Sequence, residues 1–342
     1  PSAADVDIAN TSAMVVGGDL LAMTETCQPY VLDQNLDTVH RQDFGAGVTE
    51  FTAHPHTDPI TGEVFAVGYG GNYDADCTLY RIDSDGNLLD RRHVDLLGPR
   101  AIHDVAMTER YVVLWDLPLE YANDDPGLFP YAWNRDGAAR VGLLDRRDLN
   151  RPVHWFDIDP CFVFHALNAY DTDAGVVLDV VQFERIFDVD RTGPGDPYPP
   201  QLWRWEIDES TSAAQQTLVD DRIQEFPKLD DRRWGRPYRY GYTIELMSSS
   251  GAQSLVAHDT RGGETQSWST EPKKSLSEAI FVPESPTAGE NEGWLLAIDS
   301  DREHSDLVVF DATAVAAGPV GRVRLPQRIP DGFHGDWIPA AS

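Results

Sequence analysis

The feature that constrains this chain most is a succession of short apolar or alternating runs, each broken by a turn rich in Gly, Asp, Asn or Pro. Helical periodicity is nearly absent between them. Residues 12–22 read as two strands about Gly17-Gly18-Asp19, and Val64–Tyr69 follows a turn in residues 58–62. Leu79-Tyr80-Arg81-Ile82-Asp83 runs into Asp85-Gly86, the strongest short signal for a hairpin. Tyr111-Val112-Val113-Leu114-Trp115 and Gly175-Val176-Val177-Leu178-Asp179-Val180-Val181 are apolar almost throughout, as strands covered on both faces are. Gly293-Trp294-Leu295-Leu296-Ala297-Ile298 and Leu307-Val308-Val309-Phe310-Asp311 form another consecutive pair. Only residues 208–218 read as a helix. Many short strands predict an all-β fold, and the recurring unit of strand, turn and strand ending in Asp predicts propeller blades. A clean period of ~40 residues is not visible, but a sandwich would use fewer strands. The Gly/Pro-rich stretch 188–200 reads as a surface loop, because strand patterning resumes at Leu202-Trp203-Arg204-Trp205. One domain over residues 1–342 is expected.

Charge narrows the function. Acidic residues number 57 against 27 basic ones, a formal net charge of −30, and only Lys228, Lys273 and Lys274 are lysines. Such a surface repels phosphate backbones, so no nucleic-acid partner is expected, and it favours solubility, as in a salty cytoplasm. Cys27, Cys77 and Cys161 are isolated thiols without a CxxC, which fits a reducing compartment. No apolar run approaches the ~18 residues of a membrane span. The start, Pro1-Ser2-Ala3-Ala4-Asp5, does not read as a signal peptide.

Ten histidines are present. His40, His93, His154, His258 and His304 stand among polar neighbours and read as solvent-facing. His54 and His56 lie in Thr52-Ala53-His54-Pro55-His56; His103, His165 and His334 each sit beside apolar residues. The separations from His54 through His103 and His165 to His334 are 49, 62 and 169 residues. They match no local zinc motif. A propeller, however, brings equivalent positions of successive blades together at its axis.

Seven segments form an ordered set: Thr52-Ala53-His54-Pro55 with Asp58-Pro59-x-Thr61-Gly62-Glu63; His103-Asp104-x-Ala106-x-Thr108-Glu109-x-Tyr111; Phe164-His165-x-x-Asn168-Ala169-Tyr170; Glu225-Phe226-Pro227; Gly235-Arg236-x-Tyr238-Arg239-Tyr240-Gly241-Tyr242; Glu278-x-x-Phe281-Val282-Pro283; and Leu325-Pro326-x-Arg328-Ile329-Pro330-x-Gly332-Phe333-His334-Gly335-x-Trp337. In this order they resemble the carotenoid cleavage oxygenase family, from about Asn10 to Trp337. The resemblance implies a seven-bladed β-propeller with a non-haem Fe(II) on its axis, bound by His54, His103, His165 and His334. It excludes His56, whose replacement by Ala is expected to cost little. It also implies that Glu25, Glu225 and Glu278 each accept a hydrogen bond from one ligand imidazole, leaving His54 without a carboxylate. Pro55 then restricts His54 to extended backbone.

The implied reaction is oxidative cleavage, by O2, of a conjugated C=C bond in an apolar polyene, giving two carbonyl fragments. A substrate tunnel is implied too, and Phe164, Trp115, Tyr170 and Phe333 either line it or pack between blades. The chain departs from the family at two places. A long upstream segment that normally completes the blades and cap is not present, so a truncated chain is expected. Stilbene-cleaving members usually carry Lys before the glutamate matching Glu25; here Thr24 stands there, and every Lys is far away in sequence. That favours a carotenoid or apocarotenoid over a lignostilbene. A cytoplasmic enzyme with peripheral membrane contact for substrate uptake is the leading expectation; a stilbene dioxygenase, or a non-catalytic propeller holding a hydrophobic ligand, are the rivals.

Overall fold

A computed structural model describes residues 8–70, 77–122, 128–193, 197–247 and 251–339. Within them the strands gather into six antiparallel sheets, each built from one contiguous stretch of chain: residues 12–41, 56–93, 106–158, 162–220, 224–269 and 275–324. The first five are four-stranded; the sixth has five strands, because Ile280–Pro283 adds to it beside Gly293–Ser300. A two-stranded hairpin, Leu119–Tyr121 with Tyr131–Trp133, branches off within the third stretch. Strands near the start of successive sheets lie side by side: Ala106–Met107 against Phe162–Asp171, that strand against Gln224–Leu229, and that one against Ile280–Pro283. This is the arrangement of β-propeller blades. Seven blades were expected and six are found. A blade takes four strands, and the six sheets with the hairpin use every strand among the described residues, which leaves none for a seventh.

The predicted turns explain why neighbouring strands pair locally. Gly17 and Gly18 have φ of +59° and +88° between Ser12–Val16 and Asp19–Met23, the backbone a two-residue hairpin demands. At the Asp85-Gly86 turn the Asp83 carboxylate accepts the N–H groups of Asp85 and Asn87 at 3.0 and 2.7 Å. Residues 208–218 are not a helix. Ala213–Asp220 is the outer strand of the fourth blade, pairing with Gln201–Asp208 and mostly exposed. Its Ala-Ala-Gln-Gln run has helical propensity, but hairpin pairing overrides it. The expected loop 188–200 carries no strand or helix where it is described; residues 194–196 lie outside the described residues, as do residues 1–7.

Burial follows the blade geometry. Val64–Tyr69 and Gly175–Phe183, second strands of their blades, are buried at every position, because each is covered by a neighbouring blade on either face. Outer strands such as Thr38–Arg41 are exposed throughout. Trp115, Trp205, Phe65, Phe156 and Phe162 fill one core shared by the second, third and fourth blades. Polar ties hold blades in register: Tyr238 of the fifth donates to Asp179 of the fourth at 2.6 Å, and Asn168 spans to the Arg233 and Arg236 carbonyls and the Gly235 N–H.

Candidate metal centre

Where the opening ends of the blades meet, three of them contribute a histidine and the terminal segment a fourth. His54 precedes the short strand His56–Thr57, His103 precedes Ala106–Met107, and His165 lies within Phe162–Asp171. His334 comes from the terminal segment, whose N–H is donated to the Thr11 carbonyl beside the first blade. The register of Phe162–Asp171 shifts on both sides of Ala166, and that of Gln224–Leu229 between Glu225 and Lys228. Such bulges bend a strand and re-aim its side chains. In the second bulge Phe226 takes φ of +57°, a left-handed conformation uncommon for a bulky residue.

The four imidazoles converge. Ring centroids lie 4.6 Å apart for His54 and His103, 4.9 Å for His54 and His165, 4.5 Å for His54 and His334, and 4.8 Å for His165 and His334. One nitrogen from each falls within 4.8 Å of all the others. His56, two residues from His54, is outside the group.

Hydrogen bonding assigns the tautomers. His165 Nδ1 meets Glu225 Oε2 at 2.7 Å, His334 Nδ1 meets Glu278 Oε2 at 2.9 Å, and His103 Nδ1 meets Glu25. Each carboxylate takes an Nδ1–H, so the opposite Nε2 of a neutral ring carries a bare lone pair. No carboxylate among the described residues pairs with His54. Its backbone is fixed instead: the His54 N–H is donated to Thr52 Oγ1 at 2.9 Å, and the buried Thr52 hydroxyl donates to the His103 carbonyl at 3.2 Å.

Charge at the centre follows from burial. Desolvation, then the neighbouring His103, His334 and His165, push the His54 imidazole well below its ordinary pKa, so it is neutral. Burial also lowers His334, outweighing Glu278. At His165 burial acts in the same direction, but the adjacent Glu225 carboxylate overcomes it and raises the pKa. Burial alone would raise the Glu278 carboxyl; the Lys228 ammonium, His334 and the Gly335 N–H together hold it down to about 2. Tyr69 is raised well above its usual value by burial and by Glu25, so it stays a phenol and donates to that carboxylate.

The residues fit a metal ion. His103 Nε2 and His165 Nε2 face each other at 3.2 Å, and His54 Nε2 is buried with no hydrogen-bond partner among the described residues. Two bare lone pairs at that distance repel unless a proton or a metal cation lies between them. Metal–imidazole bonds of about 2.1 Å place adjacent ligand nitrogens ~3 Å apart and opposed ones ~4 Å apart, and the nitrogens here approach to 3.2 Å and all lie within 4.8 Å of one another. Four imidazoles with no thiolate suit iron, copper or zinc.

Around the cluster, Phe164 packs edge-on against His103 at 4.9 Å, and Phe226 stacks on His165 at 6.0 Å. A cleft of about 330 Å³ opens onto His54, His165 and His334, with Met14, Phe226 and Trp337 among its walls. Of the other aromatics singled out, Trp115 is core, Tyr170 packs on Tyr238 and Phe333 is exposed. One expectation fails. His258 is not solvent-facing: it is 5 % exposed, held by Gln224 and Thr243 at 2.9 Å, because its strand is an inner one of the fifth blade. Lys228, distant in sequence from Glu25, reaches the centre in space, with Nζ 3.4 Å from Glu278. Sequence reasoning also passed over Thr52, Asp104 and Phe226, although all three stand inside the motifs that carry the histidines and Glu225.

Comparison with known proteins agrees with this geometry. Residues 2–339 match the family model described as retinal pigment epithelial membrane protein, RPE65. A carotenoid cleavage oxygenase of Mycobacterium tuberculosis is 33% identical over 386 residues, covering 96% of this chain and 77% of that protein. Among solved structures, the lignostilbene dioxygenase of Pseudomonas brassicacearum superposes with a TM-score of 0.89 at 29% identity, covering 99% of this chain and 77% of the other. The cobalt-substituted apocarotenoid oxygenase of Synechocystis gives 0.86 at 28% identity, covering 96% and 74%.

Proposed function

Since the chain belongs to the retinal pigment epithelial membrane protein family, which includes the carotenoid cleavage oxygenases, we propose that it cleaves a conjugated C=C bond of a carotenoid or apocarotenoid with O2. In this reading His54, His103, His165 and His334 bind Fe(II). Glu25, Glu225 and Glu278 orient His103, His165 and His334. The observation that carries the proposal is the convergence of bare imidazole nitrogens, above all the partnerless His54 Nε2 and the 3.2 Å approach of His103 to His165.

An Fe(II) ion held there would supply the place where O2 is activated. The protein's part is positional. Three carboxylates fix three ring orientations, so that the imidazoles do not have to reorganise during turnover. Phe164 and Phe226 wall the cluster with apolar surface and keep bulk water from it. The cleft beside Met14 and Phe226 holds the alkene near the ring nitrogens, and its apolar walls select which bond lies there. A cytoplasmic enzyme drawing an apolar substrate from a membrane surface completes the reading. No helix among the described residues is long and apolar enough to cross a membrane.

Lys228 favours a second reading. A cation lining the cleft beside Glu278 would suit a substrate with a phenolate end, as a hydroxystilbene has. Side-by-side assays separate the two: O2-dependent release of aldehydes from apocarotenoids but not from hydroxystilbenes supports the first, and the converse supports the second. Turnover of neither by iron-loaded protein would leave a non-catalytic propeller.

A further inference from the structure

We propose that Asp104 is a positioning residue whose carboxylate clamps together the three segments that carry His54, His103 and His165, with His56 as its donor from the second blade. The proposal rests on the reading of those histidines as metal ligands. Asp104 is 2 % exposed and follows His103 directly. Its Oδ1 accepts from His56 Nε2 at 2.6 Å and from the Val105 N–H at 2.7 Å, and its Oδ2 accepts the Ala166 N–H at 3.0 Å. The three donors belong to three blades. His56 is two residues beyond His54, Val105 two beyond His103, and Ala166 one beyond His165.

Each partner is fixed for a physical reason. The Ala166 N–H lies at the register shift of Phe162–Asp171, where the ladder is disturbed and a buried N–H needs another acceptor. The His56 ring is held edge-on against Trp234, centroids 4.3 Å apart, which leaves its Nε2 directed at Asp104. Carboxylates that accept several such bonds are strongly held, and one taking donors from three chain segments fixes their mutual spacing. The spacing fixed here is that of the nitrogens at the centre. Three carboxylates each orient one ring; Asp104 sets the distances between the backbones beneath three of them. On this proposal His56→Ala has a cost, contrary to the expectation from sequence, since that change leaves a buried carboxylate short of a donor.

The test uses two readouts that do not need turnover. In the intact 342-residue chain, anaerobic Co(II) titration followed by visible absorption reports the geometry and affinity of the imidazole site. Hydrogen exchange at the Ala166 amide, in metal-free protein, reports the clamp itself. For Asp104→Asn and His56→Ala, Co(II) affinity is expected to fall by ~10–100-fold with an altered spectrum, at temperatures where circular dichroism shows both variants folded. Asp104→Asn should also speed Ala166 exchange beyond any change at core amides. His56→Gln, which keeps a donor near the same place, should recover part of the loss. Wild-type Co(II) affinity and spectrum in both variants, or unchanged Ala166 exchange in Asp104→Asn, would overturn the clamp, as would equal losses in His56→Gln and His56→Ala. If wild-type protein itself bound no Co(II), the metal reading would fall, and the exchange measurement would still decide whether Asp104 joins the blades. Should Asp104→Asn fail to fold, His56→Ala and His56→Gln carry the test.

Discussion

At the residue scale the decisive fact is directional. Three imidazoles give their Nδ1–H to carboxylates, so their other nitrogens can only accept or coordinate. Glu225→Gln weakens that orientation without removing a donor to the centre. It should therefore lower iron affinity by ~10–100-fold while iron still binds at high concentration, whereas His165→Ala should retain none in metal analysis. Glu278 gives a pH dependence with a definite sign. Its carboxyl is held at about 2 against an ordinary 4.5. The stability it contributes, about 3 kcal/mol, is complete above pH ~4.5 and lost as pH falls toward 2. In metal-free protein, Lys228→Met removes the largest favourable partner and should move the acid-unfolding midpoint to higher pH; an unmoved midpoint would show that Lys228 does not support Glu278. Little of this was legible from spacing. Separations of 49, 62 and 169 residues match no local motif, and only the family resemblance linked the four histidines. His258 misled because the polar Asp259-Thr260-Arg261 turn that follows it outweighed Leu255-Val256-Ala257 before it, which carry it on a buried strand where Gln224 and Thr243 satisfy its ring.

At the element scale, most strands were legible because each blade pairs consecutive segments through short turns, so local patterning and tertiary structure agree. The outer strand Ala213–Asp220 was not, since its Ala-Ala-Gln-Gln start favours a helix. Nor were the two bulges, which depend on partner strands and yet aim His165 and Glu225. Turn chemistry between blades can be tested at Gly17, which has φ of +59° and would bring a Cβ within 2.5 Å of the Asp85 carbonyl oxygen in the second blade. Gly18, at φ of +88°, would place its Cβ in open space. Gly18→Ala should cost only the left-handed strain, about 1 kcal/mol. Gly17→Ala should add an overpacking cost of about 1–3 kcal/mol. Urea unfolding midpoints compare them directly, and equal midpoints would show that the tips of the first two blades do not pack as described.

For the whole molecule, six blades and a net charge of −30 set opposing demands. Self-repulsion loosens a compact acidic chain, and salt screens it. The melting midpoint should therefore rise between about 0.05 M and about 1 M NaCl; a falling midpoint would mean that the Arg–carboxylate pairs between strands outweigh net repulsion. The fold class was visible in the sequence, but the blade count was not, because it depends on how many strands each sheet recruits. The central claim is that chain segments remote in sequence meet at one iron site, and anaerobic Fe(II) loading followed by metal analysis tests it most directly. One iron per wild-type chain and none in His54→Ala is the predicted result. No iron in the wild-type chain, or full occupancy in His54→Ala with its fold intact, would contradict the account.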